Sequence, residues 1–255
     1  MAGAGRVAAL YDIHGNLPAL EAVLAEVERE DVEAIVVGGD VLPGPWPGAT
    51  LARLRALRRP VQFVMGNGDR EVLACRAGRP NLRLPESAQA ALAWCAERIA
   101  PELARAVSAW PATQARFVAP RGVALFCHAT PHSDTESFTP VSSPERLQRL
   151  FGGLTHPLVI CGHTHMQFEL SVGAGSSALV AGGRRVINAG SVGMPFDEPG
   201  AYWLLLGGEP ELRRTSYDHE AARHDMEATG YPGMEMFRNP PARKAMMTAL
   251  RGDGA

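Results

Sequence analysis

Residues 6–16, RVAALYDIHGN, join an apolar run to two side chains that can bind a metal ion. The run Arg6 to Tyr11 has the composition of a buried strand, and Asp12 and His14 follow it directly. Another apolar run, Ala34 to Val37, ends at a glycine pair. Between the two runs, apolar residues repeat at helical spacing: Leu17, Leu20, Val23, Leu24 and Val27. This pattern predicts a β-α-β unit with parallel strands.

The same pattern repeats once more along the first half of the chain. A second helical pattern through Leu51, Leu54 and Leu57 leads to an apolar run at residues 61–65 that stops at Gly66. Polar side chains then follow each of the three strands: Asp12, Asp40 and Asn67. Because the carboxyl ends of parallel strands meet at one edge of a sheet, we expect these three side chains to converge.

The second half of the chain is rich in strand patterns and poor in helical ones. We expect strands at 114–118, 123–127, 158–161, 167–172, 184–188, 201–206 and 211–216, mostly antiparallel. A parallel half followed by a meander indicates two facing sheets with helices outside. The chain is predicted to be a single domain, residues 1–255, with a helical insertion at about 70–110 and a C-terminal arm at about 230–255.

The insertion and the arm leave alternatives open. A helix over Ala88–Ile99 could cap the site, although base rates favour a peripheral helix that packs Leu92 and Ile99 on the body. The arm is rich in methionine and could close over the site, contact a second copy or pack locally. The oligomeric state stays open.

Composition excludes several classes of protein. With 46% hydrophobic and 20% charged residues the chain is long enough to bury a core, and its net charge of -2 argues against binding long nucleic acid. No apolar stretch is long enough to span a membrane and no signal sequence is recognisable, so a cytoplasmic location is expected by default. The four cysteines lack C-x-x-C spacing and are expected to be buried, reduced thiols.

Two further segments place potential metal ligands after strands in the second half: His128 and Gly162-His163-Thr164-His165. His163 and His165 would face opposite sides of an extended strand, so a turn at Gly162 is needed if both bind metal. A carboxylate shared by two divalent cations holds them about 3.5 to 4 Å apart, and Asp40 is the natural bridge. Mixed imidazole and carboxylate ligands favour Mn, Fe, Co, Ni or Zn over Ca or Mg.

Taken in order, the segments D-x-H, G-D, G-N-x-D, H and G-H-T-H resemble those of calcineurin-like metallophosphoesterases, specifically small prokaryotic phosphodiesterases, over residues 6–217. The resemblance implies a four-layer αββα sandwich of two mixed β-sheets flanked by helices. It also implies two divalent transition-metal ions, with Mn favoured over Fe, Ni or Zn, and a segment at 188–193 behind the site. The ligand sets it implies are Asp12, His14, Asp40 and His165 for one ion, and Asp40, Asn67, His128 and His163 for the other.

The implied activity is hydrolysis of a small phosphodiester or nucleotide by a hydroxide that bridges two metals, with Asn67, His128 and Asp40 as catalytic residues. Family members with strong phosphomonoesterase activity carry histidine at the position of Gly68. Its absence lowers the expectation of phosphomonoesterase or protein phosphatase activity, and replacing Gly68 by histidine is expected to raise monoester turnover. A catalytically weak scaffold or binding protein is the alternative.

Gly68 and four further residues are weaker candidates for contacts with a small phosphorylated substrate. His132 lies four residues after His128 and could contact phosphate or protonate the leaving group, although a solvated loop histidine is the commoner case. Asn16 could aim backbone amides at the substrate, and a simple helix N-cap is the favoured interpretation. Arg184 and Arg185 could attract an anion, although such pairs are usually just solvated.

Overall fold

The computed structural model describes residues 5–173 and 183–252. Its strands are β1 Val7–Leu10, β2 Ala34–Val37, β3 Val61–Phe63, β4 Thr113–Val118, β5 Gly122–Cys127, β6 Leu158–Cys161, β7 Gln167–Val172, β8 Arg184–Ala189, β9 Ala201–Leu206 and β10 Glu211–Thr215. Its helices are α1 Leu17–Arg29, α2 Pro47–Arg55, α3 Asn67–Arg76, α4 Glu86–Arg98, α5 Pro101–Ser108, α6 Pro144–Phe151, α7 His219–Ala228, α8 Glu235–Arg238 and α9 Arg243–Ala249.

The strands form two five-stranded sheets. The first has the order β10-β9-β1-β2-β3, in which β1, β2 and β3 are parallel and β9 and β10 are antiparallel to their neighbours. The predicted β-α-β arrangement is therefore present, and the carboxyl ends of β1, β2 and β3 lie side by side. The meander expected in the second half is wrong in one respect, because β9 and β10 return to extend the first sheet.

The second sheet has the order β4-β5-β6-β8-β7. Its edge strands pair antiparallel, as β4 with β5 and β7 with β8, whereas its centre is parallel through β5, β6 and β8. The expectation of mostly antiparallel strands was thus wrong for the centre of this sheet. The apolar runs of β5 and β6 are buried on both faces, which is the condition under which parallel strands occur.

Burial divides the core into three layers of side chains. Successive side chains along a strand point alternately to the layer between the sheets and to an outer layer. Ala9 and Val36 therefore face the second sheet, while Leu10 and Val37 face the helices. Outside the first sheet lie α1, α2, α4 and α5, and outside the second lie α6 and α9. The fold is the predicted four-layer αββα sandwich.

The region 70–110 contains α4 and α5, with Leu92 and Ile99 buried against the core of the first sheet. The sequence did not predict the individual helices α3, α5, α6, α7, α8 and α9. α5 and α6 have eight residues each and begin with proline, which is preorganised for a helix start but leaves little length for an apolar period. Among the helices of residues 5–173 and 183–252, none is both long and apolar enough to cross a membrane.

The two sheets are joined by a buried hydrogen bond as well as by apolar packing. The hydroxyl of Tyr11, at the end of β1, donates to the carbonyl of Ile160 in β6 at 3.0 Å.

We expect Tyr11→Phe to lower the free energy of unfolding by about 1 kcal/mol or more, since the carbonyl loses a buried partner. Urea denaturation measures this. Tyr202→Phe removes a partly buried bond to Glu198 and should cost less; equal costs would contradict an inter-sheet role for Tyr11.

Candidate metal centre

The polar side chains that follow the strands meet at one edge of the sandwich. Asp12, Asp40 and Asn67 follow β1, β2 and β3, and His128 and the 163–165 turn follow β5 and β6. Six non-glycine residues in the described part of the chain have left-handed backbone, and five of them are in this group: Asp12, His14, Asp40, His163 and His165, with φ of 46° to 67°. Strained backbone concentrated in this way is characteristic of a functional site.

The two carboxylates are held by backbone amides and keep one oxygen each for the site. Asp12 Oδ2 accepts from the amide of His163 at 2.8 Å, and Asp40 Oδ1 accepts from the amide of Gly68 at 2.7 Å. Asp40 Oδ2 lies 3.8 Å from His14 Nε2 and 3.6 Å from His128 Nε2. Asp12 Oδ1 is buried without a hydrogen-bond partner among the described residues. Such an atom is costly unless a cation or donor meets it.

Three histidines are oriented by backbone carbonyls. Nδ1 of His14 donates to Pro43, Nδ1 of His128 to Gly38 and Nδ1 of His165 to Met194, at 2.7 to 3.2 Å. A proton on Nδ1 leaves Nε2 as an unprotonated acceptor, so each ring aims a lone pair into the site. This is the usual orientation of metal-binding histidine. Sequence reasoning could not find these carbonyls because any residue supplies one.

The lone pairs face one another at short range. Nε2 of His14 lies 3.1 Å from Nε2 of His165, and the terminal amide atom of Asn67 lies 3.1 Å from His128 Nε2 and 3.0 Å from His163 Nδ1. If that amide atom is oxygen, three acceptors converge there and require a cation; if it is nitrogen, it donates to the rings.

The protonation of the site follows from burial and from these neighbours. Burial, then His165, lowers the pKa of His14 to about 3, and burial, then His128, lowers the pKa of His163 to about 4. Burial, then the Asp12 charge, holds the pKa of Asp40 well above its usual range. Burial also opposes ionisation of Asp12, but the facing histidines outweigh it and lower that pKa. In the absence of metal, His14 and His163 are therefore neutral at pH 7.

Two groups of ligand atoms are close enough for a shared cation. Asp12, His14 and His165 form one, and Asp12, Asp40 and His128 form the other, each with ligand atoms within 4.8 Å of one another. The unpartnered Asp12 oxygen and the facing lone pairs show that the residues fit bound cations. Neutral imidazoles with carboxylates suit borderline transition metals better than Ca²⁺.

The turn that carries His163 and His165 has the geometry the sequence requires. β6 ends at Cys161, and a Cβ on Gly162 would lie 2.4 Å from Asp12 Oδ2, so only glycine fits there. Behind the turn, Asn188 donates to the carbonyl of Gly162, and Ser191 donates to the carbonyl of Asp12. The segment at 188–193 therefore holds both the first strand's end and the histidine turn.

Gly68 proves to be a packing position as well as a departure from the family pattern. A Cβ there would lie 2.3 Å from the carbonyl oxygen of Leu42 and 2.8 Å from Pro43 Cδ. A histidine side chain therefore has no room unless the backbone at 42–43 moves. Asp69, the next residue, is buried and accepts from the amides of Leu42 and Gly66.

The weaker candidates lie in different surroundings. His132 is exposed, and Asn16 caps α1 by accepting from the amide of Ala19 while donating to Gly193. Arg184 donates to carbonyls at the end of α6, including that of Phe151, and Arg185 pairs with Glu169. The two arginines thus satisfy protein groups at the far end of β8.

The cysteines in the described part of the chain are free thiols, as expected. Cys95, Cys127 and Cys161 are buried, while Cys75 is partly exposed, which the sequence did not indicate. Cys127 and Cys161 direct their sulfur atoms to the carbonyls of Ile160 and Ile187, and burial raises the pKa of both thiols. They are packing residues beside the histidines.

The chain belongs to the calcineurin-like phosphoesterase superfamily, whose domain profile matches residues 6–207. An uncharacterized protein of Methanocaldococcus jannaschii is 28% identical over 200 residues, which cover 75% of this chain and 77% of that protein.

Two crystal structures share the fold over 98% of this chain and 99% of theirs. One is a metallophosphoesterase from Sphaerobacter thermophilus, with a TM-score of 0.68 and 24% identity. The other is a hypothetical protein from Pyrococcus horikoshii, with a TM-score of 0.74 and 16% identity.

Asp40 should exchange a proton for metal. Because burial and the Asp12 charge raise its pKa, the Asp40 carboxyl group keeps its proton to a higher pH than an ordinary aspartate, and a cation that binds there must displace that proton. We expect metal affinity to rise with pH, with up to about one proton released per chain from Asp40. Calorimetric titration in two buffers of different ionisation enthalpy measures the release. Asp40→Asn should abolish it, whereas Asp218→Asn, at the cap of α7, should not; heats independent of buffer would contradict the assignment.

The close packing of Gly68 predicts a loss of stability. We expect Gly68→Ala and Gly68→His to lower the free energy of unfolding by about 1 to 3 kcal/mol, as overpacking does, without adding phosphomonoesterase activity. Gly153, with no atom within 4 Å of an added Cβ, supplies the matched controls Gly153→Ala and Gly153→His. A stable Gly68→His with increased monoester turnover would show that the position is only a lost histidine.

Proposed function

We propose that this protein is a metal-dependent phosphodiesterase that hydrolyses small phosphodiesters or nucleotides at a two-metal centre. The observation that carries the proposal is the convergence of two carboxylates and three histidines, whose ligand atoms lie within 4.8 Å of one another in two groups that share Asp12, together with an Asp12 oxygen that is buried without a hydrogen-bond partner among the described residues. Family membership supports hydrolysis of phosphate esters. A scaffold that had lost turnover would have no reason to retain this arrangement, since unused like charges repel.

The proposed ligands of one ion are Asp12, His14, Asp40 and His165, and those of the other are Asp40, Asn67, His128 and His163. Asp12 and Asp40 both approach histidines of both sets. We assign the bridge to Asp40 because β2 lies between β1 and β3, which places Asp40 between the strands that carry Asp12 and Asn67.

Bound divalent ions would supply positive charge for the phosphoryl oxygens and lower the pKa of water to a value at which hydroxide forms near neutral pH. Mn is the favoured ion, with Fe, Ni or Zn as alternatives, because ligand type does not select among them. Asn67 and His128 lie beside the start of α3, and the partial positive charge of that helix end favours an anionic group. We place the activity in the cytoplasm.

The choice of diester over monoester rests on Gly68. No imidazole can stand there without movement of residues 42–43, so Gly68 leaves the site without the histidine that would help the leaving group, and we infer that solvent supplies the proton. General acid help is worth about 10² to 10⁴ in rate, and its loss matters most for poor leaving groups. A diester also brings one negative charge to the site, where a monoester brings up to two. His132 is kept as a candidate phosphate contact only.

Turnover tests the proposal. Full-length protein stripped of metal and reconstituted with Mn, Ni or Zn should hydrolyse methyl 4-nitrophenyl phosphate faster than 4-nitrophenyl phosphate, with about two ions bound per chain. His165→Asn should lower kcat/KM at least about 100-fold by loss of a metal ligand, while exposed His224→Asn should leave it unchanged. Two ions bound with no turnover of either ester would favour the scaffold alternative, and faster monoester turnover would reverse the assignment of substrate class.

A further inference from the structure

A cavity of about 510 Å³ opens directly beside the metal centre. His14, Asp40 and Asn67 form one end of it. Its volume lies within the range of small-molecule pockets, about 300 to 1,000 Å³. The cavity therefore offers room for one ester group of a phosphodiester held at the metal centre.

Apart from the end at the metal centre, the walls of the cavity are mostly apolar and come from segments that carry none of the proposed metal ligands. The insertion contributes Leu84, Ala88 and Leu92, and the chain after α7 contributes Tyr231 and Phe237. Tyr231 is buried and meets the ring of Trp94 edge-on at 5.4 Å, so this part of the C-terminal arm is packed onto the insertion. The insertion and the C-terminal arm therefore both contribute walls to the cavity beside the metal centre.

The charge of the walls is uniformly unfavourable to further anions. Among the described residues that line the cavity there is no lysine or arginine, whereas Glu71 and Glu235 both face it. Glu71 is paired with Arg70 at 2.8 Å, but Arg70 does not line the cavity. An ester group with its own phosphate or carboxylate would meet carboxylates and apolar carbon there, without a compensating cation.

We propose that the substrate is a phosphodiester with a single negative charge, one of whose ester groups is uncharged, apolar or aromatic, and occupies this cavity. The inference rests on the proposed function, because the metal centre must hold the phosphoryl group. It excludes substrates whose ester group carries several phosphates. Tyr231 and Phe237 supply aromatic surface for a flat ring, and the insertion supplies the opposing aliphatic wall.

The inference is tested with two chromogenic diesters, methyl 4-nitrophenyl phosphate and methyl 3-carboxy-4-nitrophenyl phosphate. Each has one large ester group, the aryl group. Both leaving groups carry a para-nitro substituent, and only the second adds a negative charge. We expect kcat/KM for the uncharged aryl ester to be higher at least about tenfold, since the added carboxylate would meet Glu71 and Glu235 without a lysine or arginine in the described lining to offset them. Equal values, or a preference for the carboxylated ester, would overturn the inference while leaving the proposed function intact.

The helix α4 supplies a matched pair of variants. Ala88 lines the cavity, and Ala90, on the same helix, is exposed and faces a different groove. Ala88→Arg adds a cation to the wall and should lower the ratio of kcat/KM for the uncharged over the carboxylated diester at least about fivefold. Ala90→Arg adds the same charge outside the cavity and should change that ratio less than about twofold. Equal shifts in the two variants would contradict a local effect of the wall.

A binding measurement separates this inference from the proposed function. Fluorescence titration of full-length metal-free protein with 2-methoxynaphthalene should show binding that Phe237→Ala weakens, and 6-methoxy-2-naphthoate should bind more weakly than the neutral probe. The Ala88→Arg variant should bind 6-methoxy-2-naphthoate more tightly than the unmodified protein does, whereas the Ala90→Arg variant should not. If neither diester is hydrolysed but the probes behave in this way, the proposed function fails and the cavity's selectivity stands. If both probes bind alike or not at all, the inference fails.

Discussion

The structure depends on one electrostatic constraint, which is that acceptor atoms from five separate segments must be held together. Asp12 and Asp40 lie with His14, His128 and His165 in groups whose ligand atoms are within 4.8 Å of one another, and one Asp12 oxygen has no hydrogen-bond partner in the described structure. Such a cluster opposes folding in the absence of cations, because buried acceptors lose their hydration. The sandwich has to supply the stability that the cluster removes.

The surrounding elements show how this constraint is met. Each carboxylate has one oxygen fixed by an amide, and three histidines are fixed by backbone carbonyls, so the free atoms cannot turn away. Left-handed backbone occurs at Asp12, His14, Asp40, His163 and His165, at about 1 to 3 kcal/mol each. The cost is sustained by the completely buried strands β1, β2 and β6, to which the strained residues are attached.

Selection of substrate is separated from the chemistry in space. The metal centre belongs to the sandwich, whereas the cavity beside it is walled by α4 and by the chain after α7. These segments lie between or after the ligand segments, so they can vary without disturbing the ligands. Gly68 connects the two parts, because its lack of a side chain allows residues 42–43 to pack against the start of α3 beside the cavity.

The sequence by itself determined the αββα class, most strand bounds and the convergence of Asp12, Asp40 and Asn67, because apolar periodicity and the polar residues that end each strand are local properties. It could not show that β5, β6 and β8 are parallel or that β9 joins the first sheet, since strand partners are chosen by long-range packing. Only the tertiary structure revealed the carbonyls that orient the histidines, the lack of room at Gly68 and the cavity whose described lining contains no lysine or arginine. Each arises where segments distant in sequence come into contact, and no local pattern records such contacts.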